Sequence, residues 1–278
     1  MQQLLVQPAS NGGEIETYGF DLLGFQVKRL APGKQVSEQT GDRELCIVIL
    51  GGKCSVEGAG IDWRSIGERP NVFSGLPYAA YLPISTAFRV TAETECELAF
   101  CYSRAHRAFA PRLITPDDVE VEIRGGGNAT RQINHILKPD FAADRLLVVE
   151  VYTPSGNWSS YPPHKHDVHN PPFEVDLEEI YYYKVDHPSG YAIQKLYTPD
   201  RHIDETMTVR DGQLVVVPEG YHPVVAAHGY NVYYLNALAG SARSMAASDD
   251  PDYAWVRQTW TDKDPRLPLV RRMAGAAR

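Results

Sequence analysis

Short apolar runs recur along the chain, broken by polar or turn-forming residues: ELCIVIL, AFRVTA, CELAFCY, RLLVVEVY, EEIYYYKV, YAIQKLY, QLVVVP and NVYYLNAL. They are rich in Val, Ile, Tyr, Phe and Leu, and Gly, Pro, Asn and Asp cluster between them, the pattern of short strands in sandwiches and barrels. No long stretch of helical period competes with them. The one helical expectation is a turn or two over ASDDPDYAWVRQTW, where Asp249 and Asp250 precede Pro251 and are placed to cap its start. The chain is expected to be mainly β.

The strand pattern occurs twice. In the first half Glu44 opens LCIVILGGKCSVEGAG, and SGLPYAAYLP follows with two further strand-like runs. In the second half Glu179 opens IYYYKVDHPSG, and VPEGYHPVVAAHGYNVYYLNALAG repeats the order. Between them DDVEVEIRGGGNATRQINHIL turns Gly-rich, so two β units are expected, residues 1–126 and 127–278. The GGG reads as a turn, because no strand-then-helix pattern supports a phosphate loop.

Composition narrows the function. Of 278 residues, 43% are hydrophobic and 22% charged, which suits a chain folded throughout. The net charge of −8, without a Lys/Arg-rich run, repels phosphate backbones and argues against nucleic acid. No segment approaches the roughly 20 apolar residues that span a bilayer, so no membrane partner is expected. MQQLLVQPASNGGE lacks a basic n-region and an apolar h-region, and a cytoplasmic location is the expectation. Cys46, Cys54, Cys96 and Cys101 form no CxxC pair and lie in or beside apolar runs, which predicts buried free thiols.

The candidate chemistry lies in YPPHKHDVHNPPFEVDLEEIYYYK. Residues two apart in a strand share a face, so His164 and His166 present imidazoles side by side while Lys165 points away. Glu179 at a strand start and His222 in VPEGYHP are the best candidates to complete a ligand set. Imidazoles with one carboxylate suit zinc, manganese, iron, cobalt or nickel. By the same alternation Tyr181 and Tyr183 face inward with Glu179, while Tyr182 and Lys184 face the other side. Tyr183, and Gln194 on the next strand, are candidates to bind hydroxyl groups of a ligand, and they read equally as satisfied polar groups of a barrel wall. Lys195, Arg201 and Arg243 are candidates to meet an anion, but each reads more simply as a surface charge. His106, His135, His187 and His202 lack ligand spacing and read as surface or structural, whereas His169 and His228 lie close to the motifs in sequence and are minor candidates to line the pocket.

These motifs resemble those of the cupins: Gly156, His164, His166, Glu179 and Gly190 in one, and Gly212, Pro218, Gly220 and His222 in the other. Two departures are visible. Glu179 lies thirteen residues after His166, an apparent insertion of HNPPFEVDL, and only Tyr221 separates Gly220 from His222. More closely, RLLVVEVYTPSGNWSSYPPHKHD, LEEIYYYK and VPEGYHPVVAAHGYNVYYLNALAG are similar to the 5-deoxy-glucuronate isomerases of myo-inositol catabolism. The resemblance implies a bicupin, two tandem β-barrels of the double-stranded β-helix type, with a degenerate barrel over 1–126 and a metal-binding one over 127–278. It implies a zinc ion on His164, His166, Glu179 and His222, with Glu179 preferred to a solvated Glu178 because it directly precedes the aromatic strand. The implied reaction is an aldose to ketose isomerisation of a sugar acid, without organic cofactor, in a homo-oligomer. A metal-bound hydroxide or a pocket carboxylate remains open as the base. A metal-dependent dioxygenase and a noncatalytic sugar-binding cupin are the rival readings. The first half offers no histidine before His106, and the counterpart of His222 is expected within GLPYAAY.

Overall fold

The computed structural model describes residues 3–8, 15–16 and 20–273. Period-2 alternation explains why the longest strands look apolar throughout. In Arg43–Gly51, Leu45, Ile47 and Ile49 enter the core of the first barrel, while Cys46, Val48 and Leu50 enter a second core shared with the other half. In Leu177–Val185, Tyr181 and Tyr183 face the interior of the second barrel, and Ile180 and Tyr182 face the shared core. Both faces are buried, so both alternating sets are hydrophobic.

The first large sheet has the order Arg112–Ile114, Ala79–Leu82, Arg43–Gly51, Cys96–Arg104, Leu23–Leu30, Ile15–Glu16. The second has the order Leu5–Val6, Leu214–Val217, Leu177–Val185, Val232–Gly240, Leu147–Thr153, Arg131–Leu137, Glu120–Arg124. All pairings are antiparallel. The two sheets pack on each other, and a four-stranded sheet covers the far face of each. These are Gln35–Gln39, Ala87–Ala92, Cys54–Gly58, Ile61–Ile66 in the first half and Trp158–Ser159, Val224–Ala226, Ala192–Tyr197, Asp204–Val209 in the second. The architecture is the bicupin of two tandem β-barrels.

Strand pairing runs across residue 126. Glu120–Arg124 forms a hairpin with Arg131–Leu137, and Leu5 and Val6 pair with Val215 and Leu214, so two strands from before that residue belong to the second sheet. The glycine run is the hairpin's connection: a Cβ on Gly125, at φ +93°, would stand 2.0 Å from the Ala129 carbonyl oxygen, and only glycine fits. The C-terminal helical turn is a 3-10 helix over Ala254–Thr259, without a side-chain cap; Asp250 instead accepts the Asp252 amide just before it. All four cysteines are buried and free.

Two carboxylates tie the halves together reciprocally. Glu44 accepts the backbone N–H groups of Asp144, Arg145 and Leu146 at 2.8, 2.6 and 2.7 Å, and the Tyr81 hydroxyl at 2.8 Å. Glu178 accepts those of Asp21, Leu22 and Leu23 at 2.9, 3.0 and 2.7 Å. The counterpart of Glu44 is therefore Glu178, and the position equivalent to Glu179 is Leu45. Glu178 is no solvated bystander. Between the sheets Arg69 meets Glu150 at 2.5 Å, and the Tyr233 hydroxyl donates to the same carboxylate at 2.9 Å. Both charged residues are almost wholly buried, and Arg69 also donates to the carbonyls of Ile49 and Gly75, as a buried ion pair requires.

Candidate metal centre

His164 ends up on the short strand His164–Lys165, which pairs with Ser248–Asp249, and His166 lies just beyond it. The loop that follows is stapled by its own charges. Lys165 Nζ contacts Asp167 and meets Glu174 at 2.8 Å, and Glu174 accepts the amides of Asp167 and Val168 at 2.9 Å each. Asp167 also accepts the Gly220 amide at 2.9 Å, which joins the His166 loop to the turn that presents His222. Gly220 has φ +91°, and a Cβ there would stand 2.6 Å from the Tyr197 carbonyl oxygen.

Each of the three imidazoles turns Nδ1 to a backbone carbonyl: His164 to Pro162 at 3.3 Å, His166 to Leu177 at 3.2 Å and His222 to Gly220 at 2.8 Å. A carbonyl only accepts, so Nδ1 carries the proton in each; Nε2 of His164 and His222 then presents its lone pair, as in histidines that bind metals, while His166 Nε2 hydrogen-bonds to Glu179. Nε2 of His166 lies 2.9 Å and Nε2 of His222 3.2 Å from the same oxygen, Glu179 Oε2. The second contact is close but lacks hydrogen-bond alignment, and His222 Nε2 is a buried atom with no hydrogen-bond partner. The three ligand atoms lie within 4.8 Å of one another. Donors around an ion at about 2.1 Å are separated by roughly 3.4 Å in a tetrahedron, so an orphaned buried nitrogen and two converging neighbours fit a divalent cation.

His164 stands beside this group. Its ring centroid is 4.9 Å from that of His222 and 6.5 Å from that of His166, and it is only partly buried. Burial pushes the pKa of His164 down to about 3, helped by the neighbouring His166 and Arg131. Burial also pushes His222 down to about 3, against the pull of Glu179 and with the help of the other two imidazoles. Burial lowers His166 as well, but its hydrogen bond and charge contact with Glu179 outweigh that and raise it. His164 and His222 are thus neutral near pH 7, the state in which imidazole is a ligand.

Behind the group stands an aromatic wall. The Tyr181 centroid is 5.8 Å from His222, and Tyr181, Tyr183 and Tyr234 pack at 4.7 to 6.2 Å from one another. Ser160 Oγ lies 3.1 Å from the Tyr181 hydroxyl. Tyr183 donates to Gln194 Oε1 at 2.8 Å; both are fully buried, and Gln194 Nε2 has no partner. Tyr182 and Lys184 face away, toward Glu97, as alternation requires.

The other cations are engaged elsewhere. Lys195 and Arg201 both pair with Asp204, and Arg243 donates to the carbonyls of Lys138, Pro139, Phe141 and Leu146. His106, His187, His202 and His228 are exposed, and His169 binds Asp176 at the surface. His135 is buried against Glu122. In the first barrel the stretch Ala79–Leu82 of GLPYAAY is a strand equivalent to Leu214–Val217, so the counterpart of the His222 turn is the following segment, 83–86, which holds no histidine. Apolar side chains, among them Leu45, Ile47, Phe88 and Phe100, fill that interior. Among the described residues no helix is long and apolar enough to cross a membrane.

Two stacked β-barrels, one closed by apolar side chains and one holding a buried His, Glu, His donor set, define a bicupin. The chain belongs to the KduI/IolB family, whose model matches residues 10–256. It is 46% identical over 245 residues to the 5-deoxy-glucuronate isomerase of Geobacillus thermodenitrificans (strain NG80-2), covering 88% of this chain and 89% of that one. It is 42% identical over 268 residues to the enzyme of the same name from Bacillus subtilis (strain 168), covering 92% and 99%. Among solved structures it is similar to an IolB-like protein from Salmonella typhimurium LT2, with TM-score 0.89 and 39% identity over 92% of this chain and 99% of that one. An oxalate decarboxylase from Lactobacillus farciminis shares the fold alone, with TM-score 0.64 and 12% identity over 90% and 89%.

Proposed function

We propose that this chain is a 5-deoxy-glucuronate isomerase, converting 5-deoxy-D-glucuronate to 5-deoxy-2-keto-D-gluconate in myo-inositol catabolism. The observation that carries the reading is the convergence of two Nε2 atoms, fixed by their Nδ1 anchors, on one oxygen of Glu179, in a chain so similar to enzymes of that name. His164, His166, Glu179 and His222 would hold one divalent ion, with zinc the first choice for three imidazoles and a carboxylate. When bound, such an ion supplies Lewis acidity at the two sugar oxygens between which the carbonyl moves.

The reaction moves hydrogen from C2 to C1 and from O2 to O1, so no oxidant or organic cofactor enters the balance. The chain's own part is to bind, orient and exclude water. Gln194, locked by Tyr183 through its oxygen, keeps a buried amide N–H free to donate to a sugar hydroxyl. Tyr181, Tyr183 and Tyr234 line the barrel behind it and keep bulk water from that face. In the same reading residues 1–126 form a degenerate, structural cupin and 127–278 the metal-binding one, with Leu5–Val6 and Glu120–Arg124 crossing the division. The protein is further proposed to be cytoplasmic and a homo-oligomer; light scattering at micromolar concentration checks the latter, and a monomer rejects it.

Incubation of the metal-loaded protein with 5-deoxy-D-glucuronate in heavy water tests the reaction. The expected result is the 2-keto product carrying solvent deuterium at C1, with no oxygen consumed. Failure to form the ketose, or turnover that depends on oxygen, rejects the reading.

A further inference from the structure

Arg131 opens the strand Arg131–Leu137, and alternation puts it on the same face as Ile133, which packs inside the second barrel with Val149, Val151, Tyr181, Tyr183 and Tyr234. It is 4% exposed. A buried guanidinium is strongly unfavourable without a counter-charge, yet among the described residues it has no ion pair. Glu122, on the adjoining strand, is engaged by Arg124 at 2.7 Å and His135 at 3.0 Å. The hydrogen bonds of Arg131 both leave from Nη1, to the carbonyls of Ala129 at 3.2 Å and Tyr161 at 3.3 Å. Nε and Nη2 thus have no protein acceptor, in a side chain whose geometry suits a carboxylate held by two parallel bonds. Burial lowers its pKa only to about 10, so the charge persists at neutral pH.

A second buried donor stands beside it. The guanidinium carbon lies 5.7 Å from the Trp260 ring centroid, and Trp260 Nε1 is buried without a partner. The place is next to the metal-binding residues: Arg131 holds the Tyr161 carbonyl, and His164 Nδ1 holds that of Pro162, the next residue of the same loop.

We propose that Arg131, with Trp260 Nε1 beside it, binds the carboxylate of the sugar acid and fixes the end of the substrate opposite the carbonyl that is isomerised. This rests on the isomerase reading and names the residue that separates acidic sugars from neutral ones. Lys195, Arg201 and Arg243 are spent on other partners.

The test is equilibrium binding of D-glucuronate and D-glucose to the metal-loaded full-length protein, read by intrinsic tryptophan fluorescence, with KM measured for 5-deoxy-glucuronate. Arg131→Met is expected to weaken glucuronate binding about 10- to 100-fold, to raise KM alongside, and to leave glucose binding and metal content unchanged. Arg131→Lys, which keeps the charge and loses the fork, should fall between and serves if the Met variant does not fold. A folded, metal-loaded variant whose glucuronate affinity stays within twofold of wild type, or that loses glucose binding equally, overturns the proposal. So does a wild-type protein that isomerises the acid without preferring glucuronate to glucose. Wild type that prefers glucuronate, with the preference lost in Arg131→Met, but forms no ketose upholds the carboxylate site and rejects the isomerase reading alone.

Discussion

Replacing Glu178 by Gln separates the roles of two adjacent glutamates. Glu178 Oε2 accepts two amides, Leu22 and Leu23, and Oε1 accepts Asp21. Glutamine can keep its oxygen toward Leu22 and Leu23, but its NH2 then faces the Asp21 N–H, donor against donor. Water can serve Asp21, which is exposed. Bonds to a charged acceptor contribute about 1.5–3 kcal/mol each and neutral ones about 0.5–1.5, so two weakened bonds and one lost exposed bond sum to about 2–3 kcal/mol. For a chain of this size that corresponds to a fall in Tm of about 3–5 °C. Metal content should not change, because Glu178 lies on the face of Leu177–Val185 that carries Ile180 and Tyr182, opposite Glu179. Calorimetry on the metal-replete protein, with elemental analysis of the same sample, reads both quantities. A Tm within 1 °C of wild type would show that the three bonds contribute little, and loss of metal would show that the wrong glutamate has been placed in the site.

Two further outcomes follow from the same geometry. His222→Ala should lower metal affinity by at least about 10-fold, the loss typical of even an outer-shell partner, whereas Glu44→Gln should destabilise the protein and leave metal content intact; elemental analysis after dialysis decides, and the reverse pattern puts the site in the other barrel. Glu174 provides a pH test of the loop staple. Burial opposes its ionisation, but Lys165, Ser248 and the amides of Asp167 and Val168 outweigh that and hold its pKa at about 2. Because the folded value lies below the unfolded one of about 4.3, its stabilisation is present above that pH and is lost as pH falls toward 2. Hydrogen exchange at the Asp167 and Val168 amides should therefore rise over that window beyond its intrinsic pH dependence, and Glu174→Gln should show the rise at pH 7; equal protection in the variant contradicts the staple.

The residues of the candidate site were legible because HxH spacing and strand alternation are local properties. His166, Glu179 and His222 are brought together as expected, and Tyr182 turns its back on Tyr183 for the same reason. The inserted loop reads as polar and Pro-rich, but its stapling by Lys165 and Glu174 depends on side-chain contacts that spacing does not give. Register is the first thing hidden. Glu178 and Glu179 differ by one position, and one position in a strand exchanges faces, so aligning Glu44 with Glu179 looks as good in the sequence as aligning it with Glu178. Long-range pairing is the second: nothing in Leu5–Val6 announces Leu214 and Val215 as partners. Burial of charge is the third. An arginine at the start of RQINHIL reads as a solvated strand end, and only the packing of Tyr161 and Trp260 around Arg131 reveals otherwise.

The exchanged glutamates bear on how such a chain can change over generations. A repeated unit without a donor set of its own would ordinarily be free to drift or disappear. Here the copy without the His, Glu, His set supplies the carboxylate that seats Asp144 to Leu146, at the entry to Leu147–Thr153 in the other half's sheet, and receives the reciprocal grip at Asp21 to Leu23. Substitution within the apolar interior of the first barrel is a matter of volume, and many combinations fill it. Loss of Glu44 strands three amides of the other half and the Tyr81 hydroxyl of its own, so selection on the second barrel's chemistry reaches across the interface and bears on that one residue of the first.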